Sequence, residues 1–155
     1  MPVNPCFTVY MRRFFSVLFT IIIAACSSDR SNRNPFLQEV GFNFELNLNL
    51  PLYNGLNTIG NPVFVNNAGV GTRGAFVMRT GPDTFFAFEA SCPNHAPNSC
   101  STMTIDGQEV VCSCEDFRYS LFTGQQLNRP DDGNRYYDLL FYRATQSGNS
   151  VFISN

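Results

Sequence analysis

The sequence predicts an all-β domain, a small antiparallel sandwich or barrel. Residues 42–50 alternate apolar and polar side chains with a period of two, short apolar runs recur between turn residues, and no stretch after the first thirty residues offers a helical stripe. Sixteen Phe and six Tyr with no Trp suit a β-leaning aromatic interior. At 155 residues and 44% hydrophobic, the chain can bury one core of ordinary size. Net charge is −2 and every basic residue is Arg. No basic patch exists to favour nucleic acid as a partner.

The first thirty residues read as processing signals. Arg12 and Arg13 precede an apolar run from Phe14 to Ile23, too short for a comfortable membrane-spanning helix. Residues 1–25 are therefore expected to be a secretory signal. Met11 is a better start than Met1, because residues 1–10, with Cys6, add nothing to it. The ending Ile23-Ala24-Ala25-Cys26 resembles a bacterial lipobox. That resemblance implies that Cys26 becomes the acylated first residue of the mature chain. The expected location is the cell envelope, membrane-anchored and facing the periplasm or the exterior, where disulfides persist. "SSDRSNRN" reads as a polar tether, giving 26–34 as the linker and 35–155 as the domain.

The strands follow in order. Phe42, Phe44, Leu46, Leu48 and Leu50 share one face of the first, and Asn43, Glu45, Asn47 and Asn49 the other. "NPVFVNN" is a second short strand between breakers. Ala75–Arg79 and Phe85–Glu89 form a hairpin around Thr80-Gly81-Pro82-Asp83. "TMTIDGQEVVCS" turns at Asp106-Gly107. "RYSLFTGQQL" is a strand followed by a glycine turn. "LLFYRATQSGNSVFIS" closes the chain as a hairpin around Ser147-Gly148-Asn149.

The chemistry-bearing residues cluster between these strands. Cys92 and His95 follow one hairpin, and Cys112 and Glu115 follow the next, each pair with an extra cysteine, Cys100 and Cys114. "FRYSLFTGQQLNRP" comes after. This order resembles the Rieske iron–sulfur domain over roughly residues 70–155. The resemblance implies a Rieske-like β fold with two cysteine-bearing loops holding a [2Fe–2S] cluster, thiolates on one iron and histidines on the other. It implies Cys92 and Cys112 as thiolate ligands and His95 as the first imidazole. It further implies Cys100 and Cys114 as a disulfide tying the loops together, and Pro130 in a segment covering the cluster. Tyr119 takes the aromatic position beneath the site, and Ser120 one that could donate toward it.

Two residues depart from the family pattern. Cys-Pro-Asn-His has one residue more than Cys-x-His, which displaces the imidazole by up to about 3.5 Å along an extended chain. Glu115 stands where the second His belongs, a harder and negatively charged ligand. Three readings of the residues stay open. A modified cluster binds through Cys92, His95, Cys112 and Glu115. Or the cluster is lost, Cys100–Cys114 remains bonded, and Cys92 joins Cys112 in a second staple. Or zinc sits on Cys92, His95 and Cys112 with Cys114 or Glu115 as the fourth ligand, which needs reduced thiols. Ligand chemistry ranks cluster loss ahead of cluster binding, with zinc last. His95 also has a plain reading as a surface-loop imidazole without a partner, and Glu115, Asp116 and Arg118 one as a solvated charge cluster.

With one His, a Ser-His-Asp arrangement would have to use His95 in a cysteine-rich loop. No phosphate-binding glycine motif is present. The chain is therefore not expected to be an enzyme on its own. It reads as an extracytoplasmic lipoprotein and candidate one-electron carrier passing electrons to an unknown redox or envelope protein. The alternative is a cluster-less, disulfide-stapled binding or structural lipoprotein.

Overall fold

The computed structural model describes residues 33–155. The expected signal, Cys26 with its lipid, and the tether up to residue 32 lie outside the described residues. One compact unit spans Asn34–Asn155. Asn34 Oδ1 accepts hydrogen bonds from the amides of Phe36 (2.8 Å) and Leu37 (3.2 Å). Its Nδ2 donates to the carbonyl of Pro93 at 2.8 Å, so the chain enters the domain beside the first cysteine loop.

Nine strands form two antiparallel sheets. They are β1 (Asn43–Asn47), β2 (Pro62–Val65), β3 (Ala75–Gly81), β4 (Thr84–Glu89), β5 (Thr104–Asp106), β6 (Glu109–Cys112), β7 (Phe117–Ser120), β8 (Phe141–Ser147) and β9 (Ser150–Ser154). One sheet has the order β1-β9-β8-β4-β3-β2 and the other β5-β6-β7. The only helical segment among the described residues is a 3-10 turn at Asn54–Asn57. The all-β, antiparallel expectation holds, and so does the placement of two cysteine-bearing loops.

The expected first strand is shortened at its far end. Leu46 and Leu48 are buried, but Leu50 is 49% exposed. Asn47 is the cause. Its side-chain oxygen accepts from the amide of Asn49 at 3.0 Å and its carbonyl from that of Leu50 at 3.0 Å. This local turn competes with the ladder and ends the strand. The hairpin expected at Asp106-Gly107 turns one residue later. Asp106 pairs with Glu109, so Gly107 and Gln108 are the loop, and Gly107 supplies the positive φ (63°) that the tight turn needs.

β3 reads as an unbroken apolar run, Ala75-Phe76-Val77-Met78, because the sheet is covered on both faces. Ala75 and Val77 join Leu46, Tyr142, Val151 and Ile153 in one core. Phe76 and Met78 point the other way, into a second core with Phe88, Val110, Tyr119 and Leu121. Successive strand residues face opposite sides, so one strand serves both. The second core also contains Cys92 and Cys112. The small sheet carrying Cys112 is thereby held against β3 and β4, and the two cysteine loops meet.

Candidate functional site

The first loop leaves β4 and returns on itself. Ser91 bridges to Thr102, the amide of Cys92 donates to the carbonyl of Ser101 (2.8 Å), and that of Met103 to Ala90 (2.9 Å). These bonds fix the base of the loop and leave residues 93–100 as its tip. The second loop is the turn between β6 and β7, spanning 113–116 between paired Cys112 and Phe117. Asp116 takes a positive φ of 56°, which Asp tolerates better than most residues.

Two disulfides join the tips, Cys92–Cys112 with Cα atoms 5.7 Å apart and Cys100–Cys114 with Cα atoms 5.5 Å apart. This is the pairing that the second sequence reading describes. The two bonds differ in setting. Cys92 and Cys112 have no solvent exposure, whereas Cys100 and Cys114 are half-buried at the rim.

His95 and Glu115 meet at the inner disulfide. His95 Nε2 lies 3.6 Å from Cys112 Sγ and 3.5 Å from Glu115 Oε2. Glu115 Oε2 approaches Cys112 Sγ to 3.0 Å. One donor atom each from Cys92, His95, Cys112, Cys114 and Glu115 lies within 4.8 Å of every other. His95 is thus no isolated surface imidazole; its ring is 17% exposed. Its Nδ1 lies 2.9 Å from the carbonyl of Ala96. A carbonyl only accepts, so Nδ1 carries a proton and Nε2 is the nitrogen presented to the sulfurs. Metal-binding histidines are commonly oriented this way.

The displacement expected from the inserted residue is absorbed by the loop. Asn94, the insertion, turns inward. Its Nδ2 donates to Tyr119 Oη (2.8 Å) and to the carbonyl of Tyr137 (3.0 Å), and its Oδ1 accepts from the amide of Tyr137 (2.7 Å). With Asn94 anchored, His95 swings over Cys112. Sequence reasoning missed Asn94 and Tyr137, although the extra residue in Cys-Pro-Asn-His was itself the signal. Tyr119 does lie beneath the site, fully buried on β7. Burial pushes its phenol up to about 12, against the opposing effect of the Asn94 bond.

Other expectations are redirected. Arg118 turns away from Glu115 and Asp116. It pairs with Glu109 (2.7 Å) and Asp106 (2.5 Å) across the small sheet, and these carboxylates, Asp106 first, raise its pKa. Ser120 Oγ accepts from the amide of Phe122 within its own turn. The segment after β7 reaches the site through Tyr137, seven residues beyond Pro130. There Tyr137 stacks edge-on with Phe36, and Tyr136 with Phe117.

Two sulfurs and an imidazole nitrogen aimed inward are donors that an iron–sulfur centre takes, and the Glu115 oxygen stands where such a set has a second imidazole. Thiolates, not disulfide sulfurs, are the ligands. The residues therefore fit such a centre only after the Cys92–Cys112 bond opens.

No family model matches the chain, and no curated protein matches it. Solved structures do. A chain from the complex of reduced oxygenase and oxidized ferredoxin in carbazole 1,9a-dioxygenase is similar at 20% identity and a TM-score of 0.46, covering 76% of this chain and 94% of that one. The ferredoxin of carbazole 1,9a-dioxygenase from Nocardioides aromaticivorans IC177 is similar at 20% identity and a TM-score of 0.42, covering 63% and 89%. Both TM-scores lie below 0.5, and the likenesses add no weight to the site geometry.

Proposed function

We propose that this chain is an extracytoplasmic redox domain, held at a membrane by a lipid on Cys26, whose working centre is the Cys92, His95, Cys112 and Glu115 group. The observation that carries this reading is the convergence of these donor atoms, within 4.8 Å, from two separate loops. In the disulfide form the pair stores two electrons' worth of oxidation. In the reduced form, Cys92 and Cys112 would hold one iron of a [2Fe–2S] centre as thiolates, and His95 and Glu115 would hold the other. Bound there, the centre supplies one-electron transfer. The chain's own residues shape the pocket. Ala96 orients His95, Asn94 and Tyr119 fix the loop above the second core, and the buried surroundings keep water from Cys92 and Cys112. Glu115 adds negative charge where the family pattern has a neutral imidazole, which favours the oxidised centre and a lower potential.

The anchor bears on the partner. Eight peptide steps separate Cys26 from Asn34, a reach of about 28 Å at full extension. Asn34 is bonded to Pro93 in the first loop. A lipid on Cys26 would therefore keep the centre close to the membrane surface, within range of a membrane or envelope redox protein.

A second reading is favoured by the closed inner disulfide: a redox-inert, stapled envelope lipoprotein. Each staple contributes about 2–4 kcal/mol by constraining the unfolded chain. Iron and acid-labile sulfide counts on protein made in its own export pathway separate the two. About two of each per chain, with visible absorption and a paramagnetic signal on reduction, support the carrier. A colourless protein without free thiols supports the staple. Zinc in the same metal count would support the third ligand set.

A further inference from the structure

The inner disulfide must open before any metal can use its sulfurs, yet Cys92 and Cys112 are sealed from solvent. The outer disulfide is not sealed; Cys100 and Cys114 are half-buried at the rim. The sulfur of Cys114 also lies within 4.8 Å of those of both Cys92 and Cys112, near enough for a small movement of the loop tip to bring it into contact with either once the outer bond is open. We propose that Cys100–Cys114 is a relay, through which an external dithiol opens Cys92–Cys112.

The exchange balances. A dithiol's first thiolate attacks Cys100, forming a mixed disulfide and releasing Cys114 as a thiolate. The dithiol's second thiol closes its own disulfide and frees Cys100. Cys114 then attacks Cys92 Sγ, forming Cys92–Cys114 and releasing Cys112. Attack on Cys112 instead would join residues only two apart in the chain, a cramped ring. Finally Cys100 attacks Cys114, restoring the outer bond and releasing Cys92. One dithiol is oxidised to a disulfide, and its two protons end on Cys92 and Cys112. The outer staple is intact at the end, so the loops stay clasped while the ligand pair is open. Rates of such steps follow access and thiolate character, and a sulfur held in place needs no encounter with solvent.

This relay rests on reading Cys92 and Cys112 as the working pair, but its test needs no iron. The metal-free protein is treated anaerobically with one equivalent of dithiothreitol, alkylated at intervals and mapped by peptide mass. Early samples are expected to carry label on Cys100 and Cys112 with a Cys92–Cys114 bond. Late samples are expected to carry label on Cys92 and Cys112 with Cys100–Cys114 intact. Label that stays on Cys100 and Cys114 while Cys92–Cys112 remains closed overturns the relay. The variant with both Cys100→Ser and Cys114→Ser gives a second arm of opposite sign. Without a relay, loosened tips should admit reductant and open the inner bond faster. With it, the inner bond should open at least about tenfold more slowly than in the natural chain. Equal or faster opening overturns the proposal. Should that variant not fold, the time course on the natural chain decides alone. A failed sulfur map would leave the iron count untouched, and an iron-free count would leave the sulfur map untouched.

Discussion

Asn94 Nδ2 donates to Tyr119 Oη across 2.8 Å, so the residue inserted between Cys92 and His95 is tied to the strand beneath the opposite loop. The same side chain clasps both backbone groups of Tyr137. One amide thus joins the first cysteine loop, β7 and the segment that packs beside them.

Asn94→Ala should therefore cost far more than a loop substitution. It removes three hydrogen bonds and leaves Tyr119 Oη and the Tyr137 amide and carbonyl without that partner. Unpartnered groups in such settings cost about 1–3 kcal/mol each, partly relieved by water. A loss of about 3 kcal/mol in urea unfolding, both disulfides closed, is expected. A loss under about 0.5 kcal/mol would show that water replaces the amide freely.

Alkaline pH should weaken the domain in a defined window. Burial holds the Tyr119 phenol neutral up to about 12, from its usual 10.0. The unfolded chain gives up that proton near pH 10 while the folded chain keeps it. The contribution is complete below pH 10 and is lost as pH rises from 10 toward 12. Two units correspond to at most about 2–3 kcal/mol. Tyr142 shifts in the same direction, through burial first and its bond to Glu89 second. Tyr119→Phe should flatten the stability profile between pH 10 and 12 without abolishing the decline. An unchanged slope in urea titrations across that range would place the alkaline sensitivity elsewhere.

Glu89 should be intolerant of even an isosteric change. It is fully buried at the end of β4, where three backbone amides and one phenol donate to it. Its carboxylate accepts from the amides of Thr72 (2.6 Å), Arg73 (3.0 Å) and Ser91 (2.9 Å) and from Tyr142 Oη (2.6 Å). Glu89→Gln would turn amide hydrogens toward some of these four donors. A loss of about 2–4 kcal/mol is expected, on the order of 10 °C in midpoint temperature. Amide exchange at Thr72 and Arg73 should quicken, since Glu89 is the acceptor for both amides. Unchanged protection there would mean that the loop holds itself.

These side chains also mark where the sequence stops being legible. The period of two in residues 42–48 places Leu46 and Leu48 inward correctly, because a half-buried strand writes its faces into the pattern. β3 is legible as a strand but not as a shared one, since an apolar run looks the same whether one core or two lie against it. The paired loops are legible through the family resemblance that the order of Cys, His and Glu carries, and that resemblance leaves open whether Cys92 and Cys112 bond each other or hold a metal. Glu89 is not, because pattern reading sends a lone carboxylate to the surface, and its four donors come from residues up to 53 positions away. Asn94 escapes for a related reason. Its partners, Tyr119 and Tyr137, are 25 and 43 residues distant, and only the folded chain brings them within reach.

Glu115→His is the substitution that asks whether position 115 faces the centre. Glu115 Oε2 lies 3.0 Å from Cys112 Sγ and 3.5 Å from His95 Nε2, so an imidazole there would sit among the same donors. A neutral nitrogen suits ferrous iron better than a carboxylate does and relieves the crowding of negative charge beside two thiolates. After reduction and anaerobic reconstitution, the variant should retain several-fold more iron and sulfide per chain than the natural protein. Its centre should also show a higher reduction potential. Glu115→Gln, which removes the charge without adding a ligand, should bring no such gain. If the histidine variant takes up no more iron than the natural chain under the same conditions, position 115 lies outside the iron shell. The inner disulfide is then better read as a staple than as a latent pair of ligands.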